Sequence, residues 1–440
     1  MGINFNLLDF LKNSLESSLG KRGEWNSKNK IFFKMKILTK NWEANQTLGL
    51  GEYFKTGGYQ ALKKALKKMS PEKVIKEIDK SGLKGRGGGG FPVGQKWKIV
   101  FDKKNQQKYF ICNLDESEPG NFKDKTLAER SPHQILEGMI IGAYAVGANQ
   151  AFIYLNGTFK EAGQELEKAI EECYRENLLG ENILGSKFDL NLEIFYGAGA
   201  YICGEESALI NSIEGKKGEP RKKPPYPCDW GLFGKPTVVN NAETLANISW
   251  IIENGGEKFS KIGKTDSPGT KLFSIDGAVE NPGLYESSMN NTVEDLIHLA
   301  GGIKQGLNLK FVQIGGSSGR IIPKGYLSET PSYSPDSEIP IGSGSVLVFS
   351  ELDDIKKVLL SWINFFQRES CGKCVPCREG TFRLKQILER LENGNFDEND
   401  RQDLPKLIWT LDNTTFCPLG KFSVVAIKDV IKYRMVRELN

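Results

Sequence analysis

Three cysteines spaced two residues apart, Cys371, Cys374 and Cys377, are followed forty positions later by a fourth, Cys417, with Pro418 behind it. Three closely spaced thiolates can face one concavity and a distant fourth can close it, which is how a protein grips a cluster of iron and sulfide. Structural zinc is the competing tenant of four thiolates, and it usually takes two separated Cys-x-x-Cys knuckles. The spacing points to a four-iron cluster, with zinc as the alternative. Such a cluster moves single electrons, so the rest of the chain should supply or consume them.

Two glycine loops offer a place for a nucleotide-like ligand. From Gly85 to Trp97 the chain reads Gly-Arg-Gly-Gly-Gly-Gly-Phe-Pro-Val-Gly-Gln-Lys-Trp. Backbone this free of side chains can approach a ligand closely and turn N–H groups toward phosphate oxygens, with Lys96 adding a point charge. The match to Gly-x-Gly-x-x-Gly follows a helix and not a strand, so the usual dinucleotide fold is not supported, and a P-loop is excluded because Gly-Lys-Ser/Thr is missing. A flexible linker is the bland alternative, but interleaved Phe91, Pro92 and Trp97 are unlike one. The second loop, Tyr196 to Glu206, runs Tyr-Gly-Ala-Gly-Ala-Tyr-Ile-Cys-Gly-Glu-Glu into a helix, a geometry suited to anions. Glu205 and Glu206 oppose a phosphate there and suit ribose hydroxyls.

Between the loops, Tyr109 to Leu114 reads as a buried strand ending in Asp115, Glu116 and Glu118. Carboxylates beyond a strand's C-terminus mark ligand sites in open α/β sheets, although an acidic turn capping the next helix would look the same. Further on, the Pro-rich stretch around Lys223 and Tyr226 has few conformations to lose, and the tandem Asn240-Asn241 offers amide donors and acceptors to a flat heteroaromatic ring.

Positioning these groups requires alternating elements. A helical entry segment is expected over 51–68, and a helix from Ser70-Pro71-Glu72 to Gly82 carries a cap, a first-turn proline and a terminal glycine. Helices over 131–148 and 160–179 alternate with strands over 151–155 and 190–196, which is α/β organisation. Beyond a boundary at 255–269, strands over 271–279, 311–314 and 345–349 with a helix over 292–299 make a small α+β module in which no catalytic constellation is visible. Helical patterns then dominate, over 355–368, 379–391, 400–411 and 419–436, with the four cysteines in the connections. His133 and His298 lie in helical contexts and read as structural.

The chain has 440 residues, 39% apolar and 26% charged, and a net charge of +4. These values describe a globular protein of two or three domains without a dedicated nucleic-acid surface. No run reaches the ~20 apolar residues of a membrane span. The first 36 residues read as a variable, Lys-rich extension, not a leader. Cys112, Cys173, Cys203 and Cys228 lack a disulfide framework, so a reducing compartment is expected.

With these stretches in hand, the chain resembles the NADH-binding flavoprotein component of respiratory NADH:quinone oxidoreductase, the F-type subunit of complex I. The likeness rests on the first glycine loop, Asn113-Leu-Asp-Glu-Ser-Glu-Pro-Gly, Tyr201-Ile-Cys-Gly-Glu-Glu-Ser-Ala, Thr237-Val-Val-Asn-Asn and Glu369-Ser-Cys-Gly-Lys-Cys-Val-Pro-Cys-Arg-Glu-Gly-Thr, in that order from about Ile37 onward. It implies an FMN- and NADH-binding α/β domain over 37–260, a β-grasp-like (SLBB-type) module over 261–352 and a helical 4Fe-4S domain over 353–440. It further implies that Gly85, Arg86, Gly87, Gly88 and Lys96 hold the FMN phosphate side. Asn113, Asp115, Glu116, Gly204, Asn240, Asn241 and Thr244 would surround the remaining flavin groups, with Glu116 and Glu118 tuning the site. Phe91 and Tyr226 would stack on the adenine of NADH, and Glu118, Tyr201, Glu205, Glu206 and Lys223 would contact the rest. Cys371, Cys374, Cys377 and Cys417 would hold the cluster.

The chain departs from the family pattern at Gly89, Val93, Tyr226 and Ile99, where alanine, threonine, phenylalanine and a further stacking aromatic are common. Loss of one stacking ring would weaken NADH binding by about 1 kcal/mol. The implied activity is that of an NADH dehydrogenase. NADH gives up two electrons as a hydride and a cluster takes one, so a flavin must stand between them, and no side chain need act as nucleophile or acid. The implied partners are a thioredoxin-like 2Fe-2S subunit of the E type and a large iron-sulfur subunit of the G type. The implied place is a peripheral one on the cytoplasmic side of the inner membrane, or on the matrix side in a mitochondrion. The alternatives are the diaphorase subunit of an NAD-linked hydrogenase or formate dehydrogenase and, from another class, a zinc-stabilised binding module without redox activity.

Overall fold

A computed structural model describes residues 36–42, 47–104 and 106–439; the expected N-terminal extension lies outside the described residues apart from Lys36. Its first long helix, α1 (Pro71–Ser81), begins and ends as its sequence requires. Ser70 accepts the Lys73 N–H, Pro71 stands at the first position, and Gly82 takes the left-handed conformation at φ 64°. The entry segment is two helices and not one, Leu50–Lys55 and Gln60–Lys68, because the chain turns at Gly57 and Tyr59, both with positive φ.

The central sheet is built from β1 (Tyr109–Leu114), β2 (Gln150–Asn156), β3 (Asn191–Gly197) and β4 (Thr237–Asn241), all parallel, in the order β3-β2-β1-β4. Around them lie α2 (Val93–Phe101), α3 (Lys123–Arg130), α4 (Pro132–Val146), α5 (Lys160–Arg175), α6 (Glu206–Ile213) and α7 (Ala242–Ala246). The apolar α4 is a core helix, buried along its length except at Tyr144. Its glycines make the packing close: a Cβ on Gly138 would lie 1.9 Å from the Leu245 carbonyl oxygen, and one on Gly142 would lie 2.5 Å from the Phe110 ring. Either side chain would push α4 off α7 or β1.

A second, mixed sheet follows, made of β5 (Thr270–Gly277), β6 (Gly283–Ser288), β7 (Leu309–Ile314), β8 (Arg320–Pro323) and β9 (Ser345–Ser350), in the order β8-β7-β9-β5-β6. Helix α8 (Val293–Leu299), closed by a Thr292–Asp295 capping box, adds its apolar face to this sheet's core. The strands β6 and β8 are additions to the sequence reading. The remainder is helical: α9 (Ile355–Glu369), α10 (Val375–Glu392), α11 (Glu398–Thr414), α12 (Pro418–Phe422) and α13 (Val425–Lys432).

The three parts are joined by buried charge. Glu243, fully buried on α7, accepts from Lys271 of β5 at 2.8 Å, from the Leu272 N–H at 2.8 Å, and lies 3.1 Å from Lys123 of α3. Burial alone would raise its pKa, but the two lysines outweigh that and hold it low. Between the second sheet and the helical part, Arg320 donates its Nε to both oxygens of the buried Asp429, at 2.9 and 2.8 Å, and the Ile321 N–H joins them at 2.9 Å. No helix among the described residues is long and apolar enough to cross a membrane.

Candidate functional site

The chain passes from β1 to β2 to β3 on one side and returns to pair β4 with β1 on the other, so the loops leaving β1 and β4 part from each other. In a parallel sheet that switch point opens a crevice beyond the strand C-termini. A cleft of about 880 Å³ lies there. It gathers Gly85, Gly87, Gly88, Phe91, Lys96, Asn113, Asp115, Glu116, Glu118, Tyr201, Gly204, Glu205, Glu206, Asn240 and Asn241 from stretches far apart in the chain.

The first glycine loop joins α1 to α2 and is closed at its base by Gly85 N–H to Phe91 O at 2.9 Å. Gly88 and Gly90 have φ of 114° and 61°, which side chains tolerate poorly, and a Cβ on Gly90 would also meet the Tyr333 ring at 2.9 Å. Among the described residues the N–H groups of Gly87 to Gly90 find no protein acceptor, so the loop presents free donors beside Lys96, a cradle suited to phosphate oxygens. Gly89 has open space around it, so an alanine there would fit. Arg86 turns the other way. Its guanidinium is fully buried, donates to the Pro268 carbonyl at 2.6 Å and lies 5.5 Å from the Tyr333 ring centre, while its N–H donates to Thr244 Oγ1 at 2.8 Å. Arg86 and Thr244 therefore stand behind the loop and do not line the cleft.

At the end of β1 the acidic turn both borders the cleft and caps the next helix. Glu116 lines the cleft and also caps α3, its carboxylate accepting from the Asp124 and Lys125 N–H groups at 3.0 Å. Burial raises its pKa, and nearby Asp124 adds to the rise. Asp115 is pushed up to about 7 by burial, and its Oδ2 has no hydrogen-bond partner. A buried, unpaired carboxyl oxygen in a cleft fits a polar group of a ligand.

The second loop does not leave its helix end open to an anion. Glu205 folds over α6 and accepts from the Ser207 and Ala208 N–H groups, each at 3.0 Å. The donors at that helix end are therefore already occupied, by one of the two carboxylates that the sequence reading set against a phosphate there. Lys223 lies outside the cleft lining but holds Glu205 Oε1 at 2.7 Å and Glu206 Oε1 at 2.9 Å. Phe91 at the cleft and Tyr226 beyond it are 47% and 53% exposed, available to stack on a ring. The asparagines are partly engaged in the fold. Asn240 Oδ1 accepts from Trp97 Nε1 at 2.8 Å, Asn241 Nδ2 donates to Asp124 at 2.6 Å, and Asn113 Nδ2 donates to the Gly204 carbonyl at 2.9 Å.

All four cysteines of the motif line one pocket, with Ser370, Lys373 and Phe416 around them. Cys374 is the residue before α10 and Cys377 lies in its first turn, so the positive end of that helix faces the thiols. Burial pushes the free Cys377 thiol up to about 11 and Cys417 to about 12, so binding iron must displace protons. Four thiols around one pocket supply the donor set that a four-iron cluster takes. Cys417, Ile202 and Leu419 line both this pocket and the large cleft. The wall between the two sites is therefore one residue layer, and one of its members is a thiol of the motif.

The sequence reading missed the contribution of the second sheet. Gly315, Ser318 and Gly319, in the turn between β7 and β8, line the cleft, as do Gly342 and Ser343 before β9. A Gly-Gly-Ser-Ser-Gly run after a buried strand was the available signal. Lys123 and Asp124 of α3 and Phe422, Lys428 and Lys432 near the C-terminus also reach it. His133 is buried against Tyr59 and Glu172, while His298 is exposed on α8.

Comparison with known proteins agrees with this geometry. Family models match in chain order: the Nuo51 FMN-binding domain over residues 78–250, the SLBB domain over 272–322 and the NADH-ubiquinone oxidoreductase-F iron-sulfur binding region over 357–435. The chain is 45% identical over 399 residues to the F-type subunit of the NADH-quinone oxidoreductase of Aquifex aeolicus, covering 90% of this chain and 92% of that protein. It is 40% identical to an F-type subunit, F 2, of the NADH-quinone oxidoreductase of Rhizobium meliloti, covering 90% and 95%. It is also 41% identical to HndC of the NADP-reducing hydrogenase of Solidesulfovibrio fructosivorans, covering 88% and 79%. Among solved structures it resembles an NAD+-reducing [NiFe]-hydrogenase in the H2-reduced state, with a TM-score of 0.78 and 35% identity; the match covers 84% of this chain and 62% of that one.

Proposed function

The chain belongs to the family of F-type subunits of NADH-quinone oxidoreductase, and from that premise we propose how its residues divide the work. It is an oxidoreductase with an FMN-binding domain and a 4Fe-4S binding region, the NADH dehydrogenase type of subunit. FMN held in this cleft would supply the chemistry that links the two-electron hydride of NADH to single-electron transfer by a cluster.

The free N–H groups of Gly87 and Gly88 with the Lys96 ammonium hold the FMN phosphate side, and Gly85 lets the loop approach. Arg86 and Thr244 act from behind by fixing the loop. Asn113, Asp115, Gly204, Asn240 and Asn241 surround the remaining flavin groups, with Asp115 Oδ2 supplying an unpaired acceptor or, when protonated, a donor. Glu116 holds α3 in place at the edge of the site and tunes it from there. Phe91 and Tyr226 stack on adenine. Glu118, Tyr201, Glu205, Glu206 and Lys223 orient the rest of NADH, the carboxylates favouring free ribose hydroxyls over a 2′-phosphate. Cys371, Cys374, Cys377 and Cys417 hold the cluster. The observation that carries this reading is the shared wall: Cys417 lines both the cleft and the thiol pocket, so a flavin held in the one and a cluster held in the other would be separated by a single layer of residues.

We assign quinone as the final acceptor, reached through an E-type 2Fe-2S subunit and a G-type iron-sulfur subunit on the cytoplasmic or matrix side of the membrane. The F-type relatives support this reading, because the chain spans nearly their whole length. A hydrogenase diaphorase is the second reading, favoured by the 41% identity to HndC, although the hydrogenase relatives extend beyond this chain. Purifying the native complex decides between them. NADH-dependent quinone reduction with co-purifying E- and G-type chains is expected; hydrogen-dependent reduction of a nicotinamide cofactor would overturn the assignment.

A further inference from the structure

The turn Gly315 to Gly319 belongs to the second sheet, yet it forms part of the cleft wall and grips a residue of the first. Ser317 Oγ donates to Glu118 Oε1 at 2.7 Å, and the Ser318 N–H donates to the same oxygen at 3.0 Å. Ser318 Oγ shares its one proton between Oε2 at 3.1 Å and the Gly315 carbonyl at 3.0 Å, and the Tyr201 hydroxyl donates to Oε2 at 2.7 Å. Ser317 is fully buried and Glu118 is 9% exposed, so water is a poor substitute for these donors. The backbone is shaped for this contact. Gly316 has a φ of 75°, and a Cβ there would lie 2.3 Å from Glu118 Cγ. The same acidic turn is seated a second time, where a Cβ on Gly120 would meet Leu347 of β9 at 2.6 Å.

A carboxylate with four donors from two separated segments is fixed in direction as well as in place. Glu118, Tyr201 and Ser318 all line the cleft, so the fixed direction matters to whatever lies there. We propose that Ser317 and Ser318 are positioning residues of the NADH site, holding the Glu118 carboxylate and, through it, the Tyr201 hydroxyl in the orientation that meets the nucleotide. This rests on the reading of the cleft as the NADH site. It makes the second sheet part of the binding machinery and not a spacer. Burial raises the Glu118 pKa, while both serines, the Ser318 N–H and Tyr201 pull it down, so the turn also favours the charged form.

The test uses the full chain in its native complex, with Ser317→Ala/Ser318→Ala and the conservative Ser318→Thr. The NADH dissociation constant is read by fluorescence titration, KM and kcat with ferricyanide as acceptor, and flavin content after denaturation. The double variant is expected to raise the dissociation constant and KM about tenfold, with kcat within about twofold and flavin content unchanged, while Ser318→Thr stays near the parent. An unchanged dissociation constant and KM in the double variant overturns the positioning role and leaves the NADH reading standing. A parent complex that binds no NADH overturns both. Should the double variant fail to assemble, Ser318→Ala alone keeps the Ser317 bond; NADH binding about threefold weaker supports the proposal, and an unchanged constant overturns it.

Discussion

Lys96 Nζ lies 3.2 Å from Glu206 Oε2, joining the first glycine loop's helix to the second loop across the cleft. The two residues are placed on different ligands by family resemblance, one toward the flavin phosphate and one toward NADH. Their contact makes the halves of the site share one electrostatic field. Burial pushes the Glu206 carboxyl upward, yet Lys96 and then Lys223 outweigh it, so its pKa stays below the usual range and it is charged at neutral pH.

Glu206→Gln removes that charge and leaves the two lysines less neutralised, which favours a substrate with an added phosphate. The kcat/KM preference for NADH over NADPH is expected to fall by roughly tenfold, equivalent to about 1.4 kcal/mol. Steady-state kinetics with both nucleotides checks this. An unchanged ratio counts against a ribose-facing role.

Cys374→Ser is expected to abolish the four-iron EPR signal while sparing most of the flavin. Cys374 lines the thiol pocket but not the cleft, so its loss removes a cluster ligand without touching the glycine loops. Iron and flavin analysis of the purified variant checks both halves. A retained cluster signal refutes the ligand assignment.

Asp115 gives the flavin-free protein a pH dependence of definite sign. Its folded pKa of about 7 lies above the unfolded value near ~3.9, so between those pH values the folded chain holds a proton that the unfolded chain has lost. This group therefore lowers stability progressively as pH rises from about 4 to about 7, and the loss is constant above that. Asp115→Asn should make the slope shallower, the other buried carboxylates keeping their share of it, and stabilise flavin-free protein at pH 8 by an amount on the order of a few kcal/mol. Denaturant titrations at pH 5 and pH 8 measure it; the same slope in both proteins contradicts the assignment.

Glu243→Gln should be strongly destabilising, by roughly 3–5 kcal/mol, because it leaves the fully buried Lys123 and Lys271 without their shared carboxylate. The added Lys271→Met removes one of the stranded charges and should recover part of the loss. Urea unfolding of the three proteins tests this. A loss below about 0.5 kcal/mol for Glu243→Gln would show that the network does not join the two sheets.

Much of this architecture is legible in local sequence. Tyr109 to Leu114 is a strand at the expected residues, and Ser70, Pro71 and Gly82 bound α1 as their chemistry dictates. The terminal helices were less legible: the pattern over 419–436 is α12 and α13, broken at Ser423 and Val424. The strands β6 and β8 escaped because one is half-buried without clean alternation and the other is four residues long and ends in Pro323. In the site, residue types and spacings indicated which groups gather but not which way they point. Glu205 caps its own helix, Arg86 turns inward, and the Gly315 to Gly319 turn enters from another sheet. Each of these depends on a neighbour distant in the chain, which local pattern does not encode.

The most direct test of the electron path is the visible absorption spectrum of the anaerobically purified protein, expressed with iron and flavin supplied, before and after NADH. A flavin band over a broad iron-sulfur background, both bleached by NADH, is the expected result. A colourless protein containing only zinc, or a flavin band that NADH leaves untouched, would contradict the account.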